Sequence, residues 1–322
     1  MREIRYLKAV SETIEAEMEK DPSIFYMGED VRYALKGISR GFIDKFGPER
    51  IIDTPISEAG FTGIATGAAV QGMRPIVEFQ ISMFCFLAFD EMVNQAQKLH
   101  YMSGTRMKVP VTYIVPLNFG SIAGQHSDSP HSFMVQGLMK TIMPATGYDA
   151  KGLVLSAIRD DDPVIVFLPA GITGRKSDVP EEQYTIPIGV GDIKREGTDI
   201  TVVATGRLVL KALEAAENLE KEGISIEVYD PRTLFPFDKP LLKKSVEKTG
   251  RVIIMDDSTR TCGFAAEVAA YLSDECFSFL RAPIKRITRA DVPVPFSLVL
   301  EKQVVPEGVK ELTEAVYGIL KK

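Results

Sequence analysis

Three segments of this 322-residue chain combine residue types that can do chemistry. The first is Asp53-Thr54-Pro55-Ile56-Ser57-Glu58-Ala59-Gly60-Phe61. Apolar Ile51-Ile52 reads as a strand, a proline-constrained turn follows, and a helix of small residues begins. Ser57 is placed to cap that helix, and Glu58 to sit in its first turn against the positive end of the helix dipole. Glu58 either serves the helix alone or presents a carboxyl group at the rim of a pocket. The second segment is Gly120-Ser121-Ile122-Ala123-Gly124-Gln125-His126-Ser127-Asp128-Ser129-Pro130-His131, which holds two of the three histidines. Histidine is the side chain best suited to proton transfer near neutral pH. Loops beyond the strand ends of parallel sheets are where sites form, although a solvated loop with surface histidines has the same composition. A metal site from His126, Asp128 and His131 is a third reading, with no separate Cys or His cluster to complete it. The third segment is Glu78-Phe79-Gln80-Ile81-Ser82-Met83-Phe84, a strand end with aromatics and one amide. A ring such as Phe84 either stacks on a heteroaromatic ligand or packs in the core.

Alternating elements must position these segments. Leu7, Val10, Ile14 and Met18 mark one face of a helix over 7–20, stopped by Asp21-Pro22. Strands are expected at 24–27, 75–81, 109–115 and 163–168, with helices at 83–101 (long and amphipathic) and 149–159. Continuous apolar strands alternating with helices imply a parallel sheet covered on both faces. Residues 169–187, rich in Gly, Pro and charge, read as a linker. A second alternation follows, with strands at 199–204, 224–230, 252–255 and 284–287. Helices are expected at 208–221, 241–248, 265–273 and 309–320. Gly63 and Gly67 in an Ala-rich stretch suggest close packing of a helix against a neighbour. The fold class is therefore α/β, in two unequal domains: 1–175, a linker at 176–190, and 191–322.

Composition narrows the function. A length of 322 residues suits about two domains at roughly 150 residues each. The net charge of −6 argues against nucleic acid or an anionic membrane as the main partner. No apolar run approaches the ~20 residues of a membrane span, and the first residues lack a signal-peptide core. Cys85, Cys262 and Cys276 are far apart, which excludes a disulfide framework and a thiolate zinc site and fits a cytoplasmic chain. There is no G-x-G-x-x-G after a strand, no P-loop, no H-E-x-x-H and no G-x-S-x-G, so four common enzyme classes lose their sequence support.

Five strings occur in a telling order: 51–58 (Ile-Ile-Asp-Thr-Pro-Ile-Ser-Glu), 74–79 (Arg-Pro-Ile-Val-Glu-Phe), 101–104 (Tyr-Met-Ser-Gly), 125–127 (Gln-His-Ser) and 149–153 (Asp-Ala-Lys-Gly-Leu). Together they resemble the β subunit of the thiamine-diphosphate-dependent E1 component of 2-oxo acid dehydrogenase complexes. That family includes pyruvate, branched-chain 2-oxo acid and acetoin dehydrogenases. The resemblance continues through Tyr229-Asp230-Pro231-Arg232-Thr233-Leu234 and Asp291-Val292-Pro293-Val294-Pro295. It implies a pyrimidine-binding domain followed by a transketolase C-terminal-type domain. It also implies an α2β2 assembly with the cofactor between subunits, and a lipoyl-bearing E2 acyltransferase as acyl acceptor. The Gly-Asp-Gly and Asn-Asn motifs that hold the diphosphate through Mg²⁺ are not found here, since Gly191-Asp192 is followed by Ile193. The resemblance assigns them to the α subunit.

By matched position, Glu58 is the glutamate that hydrogen-bonds N1′ of the aminopyrimidine. Phe84 and Gln80 are pyrimidine-side residues. His126 is the histidine associated with acyl transfer to lipoamide. Val111, Ala157, Ile158, Asp160 and Asp162 match positions that form a potassium site in some relatives. Two departures stand out: Asp128-Ser129-Pro130-His131 replaces a stretch that usually begins with Gln, and Met255-Asp256-Asp257 replaces a frequent Val-His-Glu. The expected activity is oxidative decarboxylation of a 2-oxo acid, or acetoin cleavage, with acyl transfer. The alternatives are a split transketolase-like ketol transferase and a non-catalytic scaffold on an E2 core.

Overall fold

The computed structural model describes residues 1–118, 120–122 and 124–320, so Phe119, Ala123, Lys321 and Lys322 of the segments named above lie outside the described residues. The chain forms two units. The first comprises Met1–Asn118 and Phe133–Ile188, and the second Phe119–Ser132 and Gly189–Lys322. The histidine-bearing loop is thus inserted in the sequence of the first unit yet belongs to the second.

In the first unit the strands are β1 (Arg2–Arg5), β2 (Ile24–Gly28), β3 (Ile51–Asp53), β4 (Arg74–Glu78), β5 (Thr112–Pro116), β6 (Lys140–Ile142), β7 (Val164–Leu168) and β8 (Lys176–Val179). The helices are α1 (Tyr6–Lys20), α2 (Phe42–Phe46), α3 (Glu58–Val70), α4 (Gln97–Met102), α5 (His131–Gln136, whose first two residues belong to the second unit) and α6 (Gly147–Arg159). Six strands lie in the order β6-β7-β5-β4-β2-β3 and pair in parallel. Strands β2, β5 and β7 are buried along their whole length. Covering both faces of such a sheet removes each Val, Ile or Leu from water, worth roughly 1.5–3 kcal/mol per side chain. The chain leaves β2 for β3 on one side and returns to β4 on the other. The carboxyl ends of β3, β2 and β4 therefore form the crevice at which parallel sheets place ligands. Gly28 ends β2 at φ +156°, and a Cβ there would strike the Glu78 carbonyl oxygen, so only glycine lets β2 and β4 run together at this edge.

In the second unit, β9 (Asp192–Arg195), β10 (Ile200–Ala204), β11 (Ile226–Asp230), β13 (Val252–Thr259) and β14 (Lys285–Arg289) form a sheet ordered β14-β13-β10-β11-β9. A short strand, β12 (Thr233–Phe235), follows β11 in the chain. Strand β9 is antiparallel and the others parallel. The helices are α7 (Arg207–Glu220), α8 (Lys239–Thr249), α9 (Phe264–Glu275), α10 (Leu298–Val304) and α11 (Val309–Leu320). No helix of the described residues is long and apolar enough to cross a membrane.

Four expectations are corrected here. The long helix over 83–101 is instead a 3₁₀ segment (Ser82–Ala88), a π segment (Asp90–Ala96) and short α4. Apolar spacing does not distinguish these backbone pitches, which differ only in which carbonyl each N–H reaches. The segment read as a linker carries β8, paired antiparallel with β1 through Arg2↔Val179 to Arg5↔Lys176. That pairing joins residues more than 170 apart, and no local pattern announces it. Gly67 in α3 faces open space, and a Cβ at Gly63 would meet only the Glu91 side chain at 3.8 Å, so neither glycine admits a close neighbour within this chain. Ser57 does occupy the N-cap position of α3, but its side chain makes no capping hydrogen bond.

Candidate active site

Two of the expected residues, Glu58 and Gln80, converge at the crevice with Glu29, which the sequence did not single out. Glu29 follows β2, Glu58 opens α3 just after β3, and Gln80 follows β4, so each is delivered by a strand end rather than by a free loop. All three are buried, Glu58 to 4% exposure, yet Glu58 Oε1, Glu29 Oε1 and Gln80 Oε1 have no hydrogen-bond partner among the described residues. Thr54 Oγ1 and Thr62 Oγ1, on either side of Glu58 in the chain, are likewise buried and unpartnered. Orphaned polar atoms of this kind cost ~1–3 kcal/mol each, which marks a place built for a ligand rather than for the isolated fold. Gln80 Nε2 donates to the Glu29 carbonyl oxygen, which fixes the amide and leaves its oxygen turned elsewhere.

The electrostatics are those of a carboxyl pair. Burial, then the charge and hydrogen bonding of Glu58 beside it, push Glu29 up to about 7. Two carboxylates cannot both ionise cheaply at close range, so Glu29 retains a proton into the neutral range. Behind the pair, Glu78 is fully buried and burial pushes it up to about 7, while the Tyr26 hydroxyl donates to Glu78 Oε2. Phe84 lies in the 3₁₀ segment after β4 and is half-buried.

The histidine loop is not a solvated loop with surface histidines. His126 is half-buried, and His131 is completely buried at the start of α5. His131 Nε2 lies 3.0 Å from Asp256 Oδ1. Thr205 Oγ1 donates to the same oxygen at 2.8 Å, and Ser258 Oγ donates to Asp256 Oδ2. Charge and hydrogen bonds from His131, with the two hydroxyls, outweigh full burial and hold Asp256 down to about 2. The two segments that depart from the resembled pattern therefore meet, His131 of the loop facing Asp256 of β13. Two further anchors hold the loop. Glu301 accepts from the backbone N–H of Gly120 (2.8 Å) and Ser121 (2.9 Å), and Arg289 pairs with Asp128. His126, His131 and Asp128 form no metal cluster, and among the described residues no group of three or more His, Cys, Asp or Glu side chains is arranged to hold a metal ion.

The five residues matched to a potassium site are otherwise engaged. Lys140 Nζ lies 2.8 and 2.9 Å from the two carboxyl oxygens of Asp160 and 2.9 Å from Asp162 Oδ2. Arg74 Nε donates to the Ile158 carbonyl at 3.0 Å, and its guanidinium also reaches the Asp160 carbonyl. The Val111 and Ala157 carbonyls accept from the backbone N–H of Val164 and Asp160. Lys140 and Arg74 thus bring positive charge to three of the five residues, Ile158, Asp160 and Asp162.

Sequence reasoning missed Glu29, although Glu29-Asp30 directly follows a fully apolar strand. It also missed Asp256, Arg289 and Glu301 as anchors, because each lies more than 100 residues from the loop it holds.

The comparisons with known proteins agree with this layout. Residues 2–174 match the transketolase pyrimidine-binding domain, and residues 189–310 the transketolase C-terminal domain. The chain is 43% identical to the β subunit of acetoin:2,6-dichlorophenolindophenol oxidoreductase of Bacillus subtilis, over 95% of this chain and 94% of the relative. It is 41% identical to the pyruvate dehydrogenase E1 β subunit of Rickettsia felis (98% and 97%). It is 40% identical to the 2-oxoisovalerate dehydrogenase β subunit of Bacillus subtilis (94% of each). A solved split-gene transketolase, described as an inactive β4 tetramer, superposes with a TM-score of 0.80 at 25% identity, covering 99% of this chain and 98% of that one. Fold and site together define a transketolase-type thiamine enzyme chain. Within that class, the chain belongs to the family of E1 β subunits of 2-oxo acid and acetoin dehydrogenases.

Proposed function

We propose that this chain supplies the pyrimidine-side half of a thiamine diphosphate site, completed by an α subunit in an α2β2 enzyme. It would oxidatively decarboxylate a 2-oxo acid, or cleave acetoin, and pass the acyl group to a lipoyl-bearing E2. The observation that carries this reading is the buried Glu29–Glu58 pair with unpartnered oxygens at the ends of adjacent parallel strands. These residues suit an aminopyrimidine: a carboxyl group for a ring nitrogen, an amide oxygen for an amino group and an aromatic ring for a ring face.

Thiamine diphosphate, when bound, supplies an electron sink for the bond that breaks next to the carbonyl. The residues of this chain do the rest. Glu58 would hold and exchange a proton at the N1′ ring nitrogen, a role that its burial and unpartnered oxygen suit. Glu29, protonated near neutrality, keeps a proton beside Glu58 and prevents two bare carboxylates from facing each other. Gln80 and Phe84 would orient the pyrimidine. His126 would assist acyl transfer to lipoamide. Mg²⁺ and the diphosphate would be held by the α subunit.

Calorimetry of thiamine diphosphate binding to the chain reconstituted with a candidate α subunit tests the reading. Saturable binding is expected, and its failure with every candidate would favour a scaffold. The split transketolase neighbour motivates one parallel assay, sugar-phosphate ketol transfer beside 2-oxo acid oxidation; transfer without oxidation would replace the dehydrogenase reading.

Two expected outcomes follow. His126→Ala should slow lipoamide acylation by ~10²-fold or more while slowing decarboxylation far less, as read by single-turnover assays with an artificial acceptor. Equal loss in both would remove His126 from the transfer step. Exchange of potassium for sodium or choline should leave activity and thermal midpoint unchanged, because Lys140 and Arg74 already supply the positive charge. A potassium-dependent midpoint would show that the ion competes successfully with both.

A further inference from the structure

The second unit contains a cavity of about 910 Å³ bounded by β14, the segment 302–306 and the last turns of α11. It lies at the edge strand of the five-stranded sheet, and its residues belong to the second unit whereas Glu29 and Glu58 belong to the first. Its chemistry departs from that of the chain. The protein carries a net charge of −6, yet Arg251, Arg260, Arg281, Lys285, Arg286 and Lys302 line this one cavity. None of the six is ion-paired with a carboxylate among the described residues. The Arg260 and Arg286 guanidinium groups donate to each other's backbone carbonyls and Arg251 to the Asp199 carbonyl, while the Arg260 charge also acts on the exposed Asp291 carboxyl, which Thr261 already holds.

The carboxylates on the wall do not cancel these charges. Glu311 is occupied by the N–H groups of Glu307 (3.1 Å) and Gly308 (2.9 Å) at the start of α11, and Glu314 reaches Lys310 at 3.9 Å. A seventh cation, Arg289, is 5% exposed and lines the cavity. Its guanidinium holds Asp128, but its Nε is buried without a partner. Holding this many like charges together costs self-repulsion that only an anion relieves. The cavity is also not purely polar, since Ile287, Val304, Val305, Ala315 and Ile319 form part of its wall. Its volume lies near the upper end of the ~300–1,000 Å³ typical of small-molecule sites.

We propose that this cavity binds an organic polyphosphate, its phosphates on the arginine and lysine side chains and its organic part against the apolar wall. Two to three phosphates match the number of unpaired cations better than a single anion does, and guanidinium groups favour phosphate by bidentate donation. The site is independent of the thiamine diphosphate reading, because none of its residues belongs to the first unit.

Titration calorimetry of the full chain with ADP, ATP, inorganic pyrophosphate and adenosine tests the proposal. ADP and ATP should bind saturably at one per chain, at least threefold more tightly than pyrophosphate, and adenosine should give no saturable heat. Raising salt from 50 to 300 mM should weaken nucleotide binding by tenfold or more. Lys285→Glu/Lys302→Glu, which alters two exposed side chains, should weaken it by at least tenfold with an unchanged thermal midpoint. Glu58→Gln, at the other site, should leave it intact. No saturable heat with either nucleotide, or equal binding by the charge-reversed variant, overturns the proposal; equal binding of pyrophosphate and ADP overturns its organic part.

Discussion

Glu58→Ala is expected to abolish proton exchange at C2 of thiamine diphosphate in the reconstituted αβ enzyme, and Glu58→Gln to slow it by ~10²–10⁴-fold. The reason is positional. Glu58 is delivered by the first turn of α3, buried to 4% exposure, and one of its oxygens has no partner in the chain. An amide keeps the shape and a hydrogen bond but cannot exchange a proton. Hydrogen–deuterium exchange followed by quenched NMR measures the step directly, apart from substrate binding. Because Glu29 sits near 7, the wild-type exchange rate should inflect near that pH. Glu29→Gln should flatten the inflection, since its amide stays uncharged as a carboxyl group does below pH 7. Unaltered exchange in Glu58→Ala would reject the role assigned to this residue.

The second large effect concerns stability. Asp256→Ala should cost on the order of 3–5 kcal/mol, seen as a lowered denaturation midpoint, because it strips a fully buried histidine and two buried hydroxyls of their acceptor. His131→Ala should cost a similar amount by leaving the carboxylate uncompensated. The double variant should cost less than the two losses combined, since neither group is then left facing an absent partner. Strict additivity would show that the pair does not interact. Asp256 also contributes a pH dependence of defined sign. Its folded-state value of about 2 lies below the ordinary 3.8, so its contribution is present above pH 3.8 and is lost as pH falls toward 2.

What could be read from the chain before folding followed the range of the physical signal. Strands β2, β5 and β7 were legible because burial on both faces demands an unbroken apolar run. The place of Glu58 in the first turn of α3 was legible because a strand, a proline turn and a helix start precede it, whereas its chemical role came from the resemblance alone. The 3₁₀ and π segments after β4 were not, because their apolar spacing imitates an α-helix. The antiparallel β1–β8 pair was hidden because register between distant strands is set by tertiary contact. The burial of His131 was not legible for the same reason: the aspartate that lets it be buried is 125 positions away.

The placement of 119–132 in the second unit has a consequence for gene shuffling. A single crossover near position 188 looks like a clean domain boundary in the primary sequence. It would nevertheless take the His126 loop from one parent and Glu301, Arg289 and Asp256 from the other. Hybrids between parents that differ at Asp128, His131 or Asp256 would then inherit mismatched halves of each anchor. Exchanging residues 119–132 together with 189–322 keeps every anchor within a single ancestry.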